Sequence, residues 1–489
     1  MVELSACQRI APKAVAPYAG MAFVLGLLPV ILLAPSSAAD AGAPVALDSA
    51  WQPAGDLSAP RFSHVSVVSN GRWFVAGGAA DFSGVYLASV EVYDPAVGHW
   101  QLATPLMTGR TEMAAVADPV SGLVLFVGGK PSGQVLPIDA SGEADLGDGT
   151  SWAKSQLLTP RFAHAAAFAA GKFVVSGGLM NNDDAEEMDS ASSTWTPAGK
   201  MPSGTRGFHT MTTLADGHTI LVAGGTGPNA SGTGAIAATD IFDPAAGSWR
   251  KVHDMNTPRT GHCAVLLRDG RVMVTGGSSS PYDTASAEIY DPVSESWSLV
   301  PSMQFARASH AMVLLPDGRV LIAGGWNEAP EGTTYALNSV EIYDPVRNVW
   351  MPGAPLHEPR NSVQAAVLAD GVYVAGGSSA TGMPSPRAPN MMIVGTRQVL
   401  ASTERLAFVS ATPPDAGIVE GGADSGAVRA PGAVGGGGCA CRAGSSRADT
   451  RIACAFACAF AVAATRSRRR SGRGDARKQR IGLVFGKNS

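Results

Sequence analysis

Apolar positions in this chain come in short runs, without helical spacing, and are punctuated by Gly-Gly, Asp-Gly and Asp-Pro pairs. The stretch from Arg307 to Trp350 shows the pattern most clearly. Arg307-Ala-Ser-His310 leads into the apolar run Ala311 to Leu315, a turn signal at Asp317-Gly318, and a second run, Arg319 to Ala323, that ends on Gly324-Gly325. Asp-Gly between two such runs predicts a two-residue hairpin with positive φ at both central positions. The same signal is written Asn70-Gly71, Asp216-Gly217, Asp269-Gly270 and Asp370-Gly371. After a polar loop, Ser339 to Pro345 and then Val349-Trp350 read as a third and a fourth strand. Pro345 lacks an amide donor and suits the turn between them.

This unit recurs. Gly-Gly pairs stand at Gly77, Gly128, Gly177, Gly224, Gly276, Gly324 and Gly376, a period near fifty residues. One arginine precedes each pair: Arg61, Arg110, Arg161, Arg206, Arg259, Arg307 and Arg360. A tryptophan lies 9 to 11 residues before each arginine, at Trp51, Trp100, Trp152, Trp195, Trp249, Trp297 and Trp350. In five units an acidic residue of the third strand precedes the tryptophan by nine: Glu91, Glu186, Asp240, Glu288 and Glu341. Unit two keeps that offset with Glu143 but lacks the Tyr-Asp-Pro turn.

Four short strands make a sheet too small to bury either face, so the units must stack on one another. Radial stacking predicts an all-β, seven-bladed β-propeller of four-stranded antiparallel blades. Gly-Gly would let neighbouring backbones approach closely, and the tryptophan would fill the space between blades. Paired glycines, a Tyr-Asp-Pro turn and a tryptophan resemble the kelch repeat over about 350 residues. That resemblance implies a kelch propeller of the galactose oxidase-like superfamily, and implies little about activity, because one fold hosts many functions.

No tryptophan follows the seventh Gly-Gly. Ser402-Thr-Glu404-Arg-Leu406 matches Ser89-Val-Glu91-Val-Tyr93 and supplies a third strand, so the fourth is expected from Val45 to Pro53 at the other end of the domain. Six blades plus an irregular flap is the rival arrangement, because Ser378 to Arg397 carries three prolines and few strand signals.

The chain divides into an export signal at 1–39, the propeller at 40–407, a Gly/Ala/Pro linker at 408–438 and a tail at 439–489. Arg9 and Lys13 precede the apolar stretch Met21 to Ala34, and Ser37-Ala38-Ala39 offers small residues for cleavage. A retained N-terminal membrane anchor is the alternative. Toward the other end, a Gly-rich segment, Cys439-Ala-Cys441, an apolar stretch from Ile452 to Ala464 and the cluster Arg466, Arg468, Arg469 and Arg470 resemble the C-terminal sorting signal of myxobacterial surface proteins. The resemblance implies that Cys439 or Cys441 is processed or anchored, with membrane contact through the tail and a location at the cell surface or outside the cell. A low-complexity tail is the alternative, since the apolar stretch makes a helix of only roughly 20 Å.

Residues 1–39 contribute +1 and residues 408–489 contribute +8 to an overall charge of −4, which leaves −13 on 40–407. An acidic domain disfavours nucleic acid. Cys263 alone falls in the propeller, so no disulfide framework is expected there, and the residue reads as a small buried apolar group.

Histidine follows the arginine in five repeats, at His64, His164, His209, His262 and His310. A metal site around the axis is one reading; a packing or hydrogen-bonding element in each blade is the other. Each arginine is expected to pair with a carboxylate or a backbone carbonyl. Galactose oxidase, which has a kelch-like propeller, carries copper beside a cysteine-modified tyrosine, but Cys263 has no evident tyrosine partner here. Inner strands such as Ala165 to Ala169 carry no acid, base or nucleophile. Asn181-Asn-Asp183-Asp184 with Glu186 and Glu187 is the densest oxygen cluster, and reads either as a calcium site or as a solvated acidic loop. No catalytic residue, metal site or cofactor is assigned.

The loops between second and third strands vary while the hairpins stay uniform. They bring Phe82, Tyr86, Tyr282, Trp326 and Tyr335 beside Asn, Asp and Glu. Aromatics in that company suit protein contacts or sugar stacking. The sequence therefore predicts an exported, surface-held, non-catalytic propeller that binds protein or glycan through this face. An extracellular carbohydrate-active enzyme, of copper oxidase or sugar epimerase type, is the alternative, and a purely structural surface module is a third.

Overall fold

The computed structural model describes residues 45–409, except 133–138, 180–181, 231, 280–281, 329–333, 382–383, 386–387 and 394–395. The expectations for the export signal, the linker, and Cys439 and Cys441 lie outside these residues. Seven antiparallel sheets follow one another along the chain. The first takes its strands from Val65–Ser69, Arg72–Ala76, Val90–Asp94 and His99–Leu102. The sixth uses Ala311–Leu314, Val320–Ala323, Val340–Asp344 and Val349–Pro352. Innermost strands touch in a closed cycle, the seventh returning to the first, so the array is a ring.

The seventh blade takes Gln364–Leu368, Gly371–Ala375 and Thr403–Val409 from the end of the chain and its outer edge from the beginning. Ala46 pairs with Val409, and Gln52 pairs with Arg405. The start of this edge is gripped at the sixth hairpin, where the Val45 amide donates to the Asp317 carboxylate at 3.0 Å. In return the Val45 carbonyl accepts from the Arg319 guanidinium at 2.6 Å. The expected closure by Val45 to Pro53 is present.

Each second strand is apolar on both faces because both are covered. Trp73 and Val75 pack into the seventh blade, while Phe74 and Ala76 pack into the second. Period-two alternation thus sends successive side chains to opposite neighbours. The described core is seven such clusters, one at each interface between blades. Every repeat tryptophan lies at an interface and its indole N–H reaches back one blade. Trp100 donates to Thr403 Oγ1 at 2.9 Å, Trp249 to the Ala198 carbonyl at 2.7 Å, and Trp51 to the Ala354 carbonyl at 2.8 Å.

Hairpins form at all the expected signals, but the turns differ in kind, and in the seventh blade the loop is Ala369-Asp370 with Gly371 already in the strand. Asn70-Gly71 is the two-residue turn, with φ of 50° and 72°. At Asp317-Gly318 only the glycine is left-handed (φ 89°), and Leu315 pairs with Arg319 around a three-residue loop. One extra residue removes the need for positive φ at the aspartate. Its carboxylate instead accepts from the Arg319 amide at 3.1 Å and closes the loop.

The stretch from Ser378 to Arg397 contains more strand than its prolines suggest. Ser378–Thr381 pairs with Thr396–Val399, and Ala388–Ile393 pairs with Thr334–Leu337 of the sixth blade's loop, which itself pairs with Trp326–Glu328. The two longest loops thereby form one accessory sheet across the sixth and seventh blades.

Candidate functional site

Most of the repeated polar residues are consumed in holding blades together. Arg61, Arg110, Arg161, Arg206, Arg259, Arg307 and Arg360 are all buried. Each guanidinium ion-pairs with a third-strand carboxylate: Glu91, Asp145, Glu186, Asp240, Glu288, Glu341 and Glu404. The carboxylates have further donors, as where Glu341 accepts from the Gln304 amide at 2.7 Å. In the second blade the partner is Asp145, not Glu143. Asp145 stands opposite Phe126 as Glu91 stands opposite Val75, and the following turn is two residues shorter, which misplaces a count back from Trp152. Glu143 remains 3.6 Å from Arg110 Nε.

The five histidines sit between blades. A Cβ on Gly224 would lie 2.7 Å from His262 Cε1, and one on Gly376 would lie 2.8 Å from His64 Cε1. Glycine at the first position of five of the pairs leaves room for the histidine ring of the next blade. His310 meets Thr275 Oγ1 at 2.8 Å and His209 meets Ser176 Oγ at 3.1 Å, each across an interface. Burial, and then the neighbouring Arg61 and Arg259, push His64 and His262 down to about 3. His164, His209 and His310 are likewise held well below the usual range. These are neutral packing groups.

The oxygen cluster of the third blade is taken apart by cations. Asp183 pairs with Lys200, Asp184 and Glu186 with Arg161, and Glu187 with Lys172. Asn181 lies outside the described residues. The Cys263 thiol donates to the His310 carbonyl at 2.9 Å, and burial pushes it up to about 12. Among the described residues no three His, Cys, Asp or Glu side chains are placed to hold a metal ion.

Around the axis the two faces differ. On the hairpin side a cavity of about 780 Å³ is lined by inner-strand residues such as Val67, Ala115, Phe168, Met211 and Leu266, with no titratable group. On the opposite side, the second residue after each repeat arginine is left-handed in all seven blades: Ser63, Glu112, Ala163, Phe208, Gly261, Ser309 and Ser362, with φ from 50° to 62°. Their peptides form a chain around the axis. The Ala163 amide donates to the Glu112 carbonyl at 3.1 Å, Phe208 to Ala163 at 2.7 Å, and Ser362 to Ser309 at 2.9 Å. Non-glycine residues in this region cost about 1–2 kcal/mol each, so a repeated exception marks a position the surrounding hydrogen bonds enforce.

The aromatic residues expected on this loop face are placed unevenly. Tyr282 is 42% exposed. Phe82 is half-buried against Phe62, with ring centroids 4.9 Å apart, and Tyr86 is half-buried with its amide held by Ser132 Oγ at 2.7 Å. Trp326 is half-buried in the accessory sheet, and the Arg397 guanidinium lies 5.1 Å from its ring centroid. Tyr335 is only 5% exposed, so it belongs to the packing of that sheet and not to an open surface. Sequence reasoning missed Glu112 and Lys130, which the fold brings near one another at the axis. The available signal was a charged residue two places after an arginine where the other repeats carry Ser, Ala, Gly or Phe.

Residues 163–377 match the KLHDC2/KLHL20/DRC7 Kelch-repeats domain, and residues 60–107 match the Kelch motif. A fungal alcohol oxidase of the AA5 family, solved in complex with copper, is similar in fold, with a TM-score of 0.54 and 15% identity over 73% of this chain and 76% of that one. Comparison with curated proteins gives no match. Seven arginine-clamped blades, closed by the first strand and carrying these motifs, make the described domain a kelch-repeat β-propeller.

Proposed function

We propose that this propeller is a non-catalytic binding module that engages a protein, or a glycan, through the face bearing its loops between second and third strands. One observation carries the reading: repeat arginines, histidines and carboxylates are spent inside and between blades, whereas the variable chemistry is concentrated on one face. That face holds the accessory sheet of the sixth and seventh blades, a hairpin made from Thr226–Asn229 and Gly232–Ala235, and the exposed Tyr282. Export through residues 1–39 and retention at the cell surface through Cys439 or Cys441 remain part of the proposal. The alcohol oxidase shares the fold at low identity, and its chemistry is not carried over, because one fold hosts many functions.

The test is to present the full chain to protein and glycan arrays together with two surface variants. Tyr282→Ala combined with Trp326→Ala should abolish capture. Val120→Asp, at a fully exposed position on the hairpin side, should leave it intact. Equal capture by all three proteins would remove the loop face as the binding surface.

A further inference from the structure

Glu112 is the one carboxylate among the seven left-handed axial residues. Its backbone is fixed on both sides, donating to Ser63 at 3.4 Å and accepting from Ala163 at 3.1 Å. Among the described residues its carboxylate accepts no hydrogen bond and has no ion-pair partner within 4 Å; Lys130 acts on it only at longer range. The Lys130 ammonium instead lies 5.3 Å from the centroid of the Phe162 ring. Each third-strand carboxylate that faces a repeat arginine is paired with it; the half-buried Glu112 has no arginine in contact among the described residues.

The surroundings carry the same sign. Asp56, Asp81, Asp183, Asp254, Asp283 and Glu358 all belong to this face, against Lys130, Lys200, Lys251, Arg397 and His357, with Asp183 paired to Lys200, Asp254 to Lys251 and Glu358 to Arg360. The repeat arginines below are buried and already neutralised. A carboxylate that is partly desolvated, unpaired and set in an acidic rim attracts a cation more strongly than an exposed one does, because screening by water is weaker there. Loss of solvation also raises the Glu112 carboxyl above its usual range, a shift that an incoming positive charge would reverse.

We propose that Glu112 is the axial seat for a basic side chain, a lysine ammonium or an arginine guanidinium, presented by a protein partner docked on the loop face. The inference rests on the loop-face reading above and names the partner chemistry. Lys130 holds the seat partly neutralised in the free protein, and the partner's cation takes over that role. The half-buried Phe208, two steps from Glu112 along the axial chain of peptides, gives the aliphatic stem of such a side chain an apolar neighbour.

The experiment titrates a labelled tetralysine peptide, with tetraglutamate as its counterpart, into the full chain and reads fluorescence anisotropy. Tetralysine should bind and tetraglutamate should not. Glu112→Gln should weaken tetralysine about tenfold or more, and Lys130→Gln should strengthen it. Asp81→Asn, in the same face but away from the axis, should change affinity by no more than about twofold. Equal losses in Glu112→Gln and Asp81→Asn would show diffuse attraction and overturn the seat. Binding of calcium chloride in place of tetralysine, lost in Glu112→Gln, would make it a metal site and also overturn it. If Glu112→Gln has no effect while Tyr282→Ala with Trp326→Ala abolishes array capture, the loop face stands and the seat falls. Unchanged behaviour in both sets removes both. A melting curve for Glu112→Gln that matches the parent separates loss of binding from loss of fold.

Discussion

The amide of Gly377 donates to the carbonyl of Arg61 at 2.8 Å, joining the last blade to the first across 316 residues of sequence. The same bond runs from Gly78 to Arg110, Gly129 to Arg161, Gly178 to Arg206, Gly225 to Arg259, Gly277 to Arg307 and Gly325 to Arg360. Each repeat arginine therefore acts twice. Its side chain clamps its own blade, and its carbonyl fastens the blade before it.

Removing one guanidinium should be costly. Arg307→Ala leaves Glu341 buried with amide donors but without its countercharge. The expected loss is about 3–5 kcal/mol, read from denaturant unfolding. A loss below about 1 kcal/mol would show that the pair contributes no more than a surface ion pair.

Two glycines with the same φ separate strain from crowding. Gly224 and Gly247 both have φ of 62°, but a Cβ on Gly224 would sit 2.7 Å from the Arg259 carbonyl, whereas one on Gly247 meets nothing within 4 Å. Gly247→Ala should cost about 1 kcal/mol, and Gly224→Ala clearly more, with loss of the bond from Gly225 to Arg259. Similar melting temperatures for the two variants would refute the close approach.

The closing edge can be tested at Trp51, which is fully buried in the cluster between the sixth and seventh blades. Trp51→Ala should cost about 3–5 kcal/mol and should expose the edge of Thr403–Val409 to amide exchange. Protection of that strand equal to the parent's would mean the ring does not depend on its N-terminal edge.

Acid should weaken the fold through its histidines. His64 and His262 titrate at about 3 in the folded chain, against about 6.5 when unfolded. Between those values the unfolded chain binds a proton that the folded chain refuses. Stability therefore rises with pH through this window and is lost as pH falls from 6.5 toward 3. At pH 5 each histidine withdraws about 2 kcal/mol. Urea midpoints at pH 7 and pH 5 should show the fall, and His262→Gln should make it shallower.

Blade number, strand order and ring closure were legible because each is encoded locally and repeated: a glycine pair, an arginine and a tryptophan recur in every unit. What escaped detection depended on local exceptions. Asp145 was passed over because its blade shortens the next turn by two residues, which preserves register in space but not in sequence. The accessory sheet was hidden because Tyr335 and Ile393 pair across a long separation, and neither segment has a pattern that names its partner. Glu112 is marked by a left-handed backbone shared by all seven positions, which side-chain identity there does not encode.

Ala46 and Val409 lie side by side on the hairpin rim, so the polypeptide enters and leaves the ring at a single point. Both attachment points stand on the rim opposite the loops between second and third strands, as two wires leave one plug. The domain is thus a cassette, transferable between different tethers without redesign of the surface it presents.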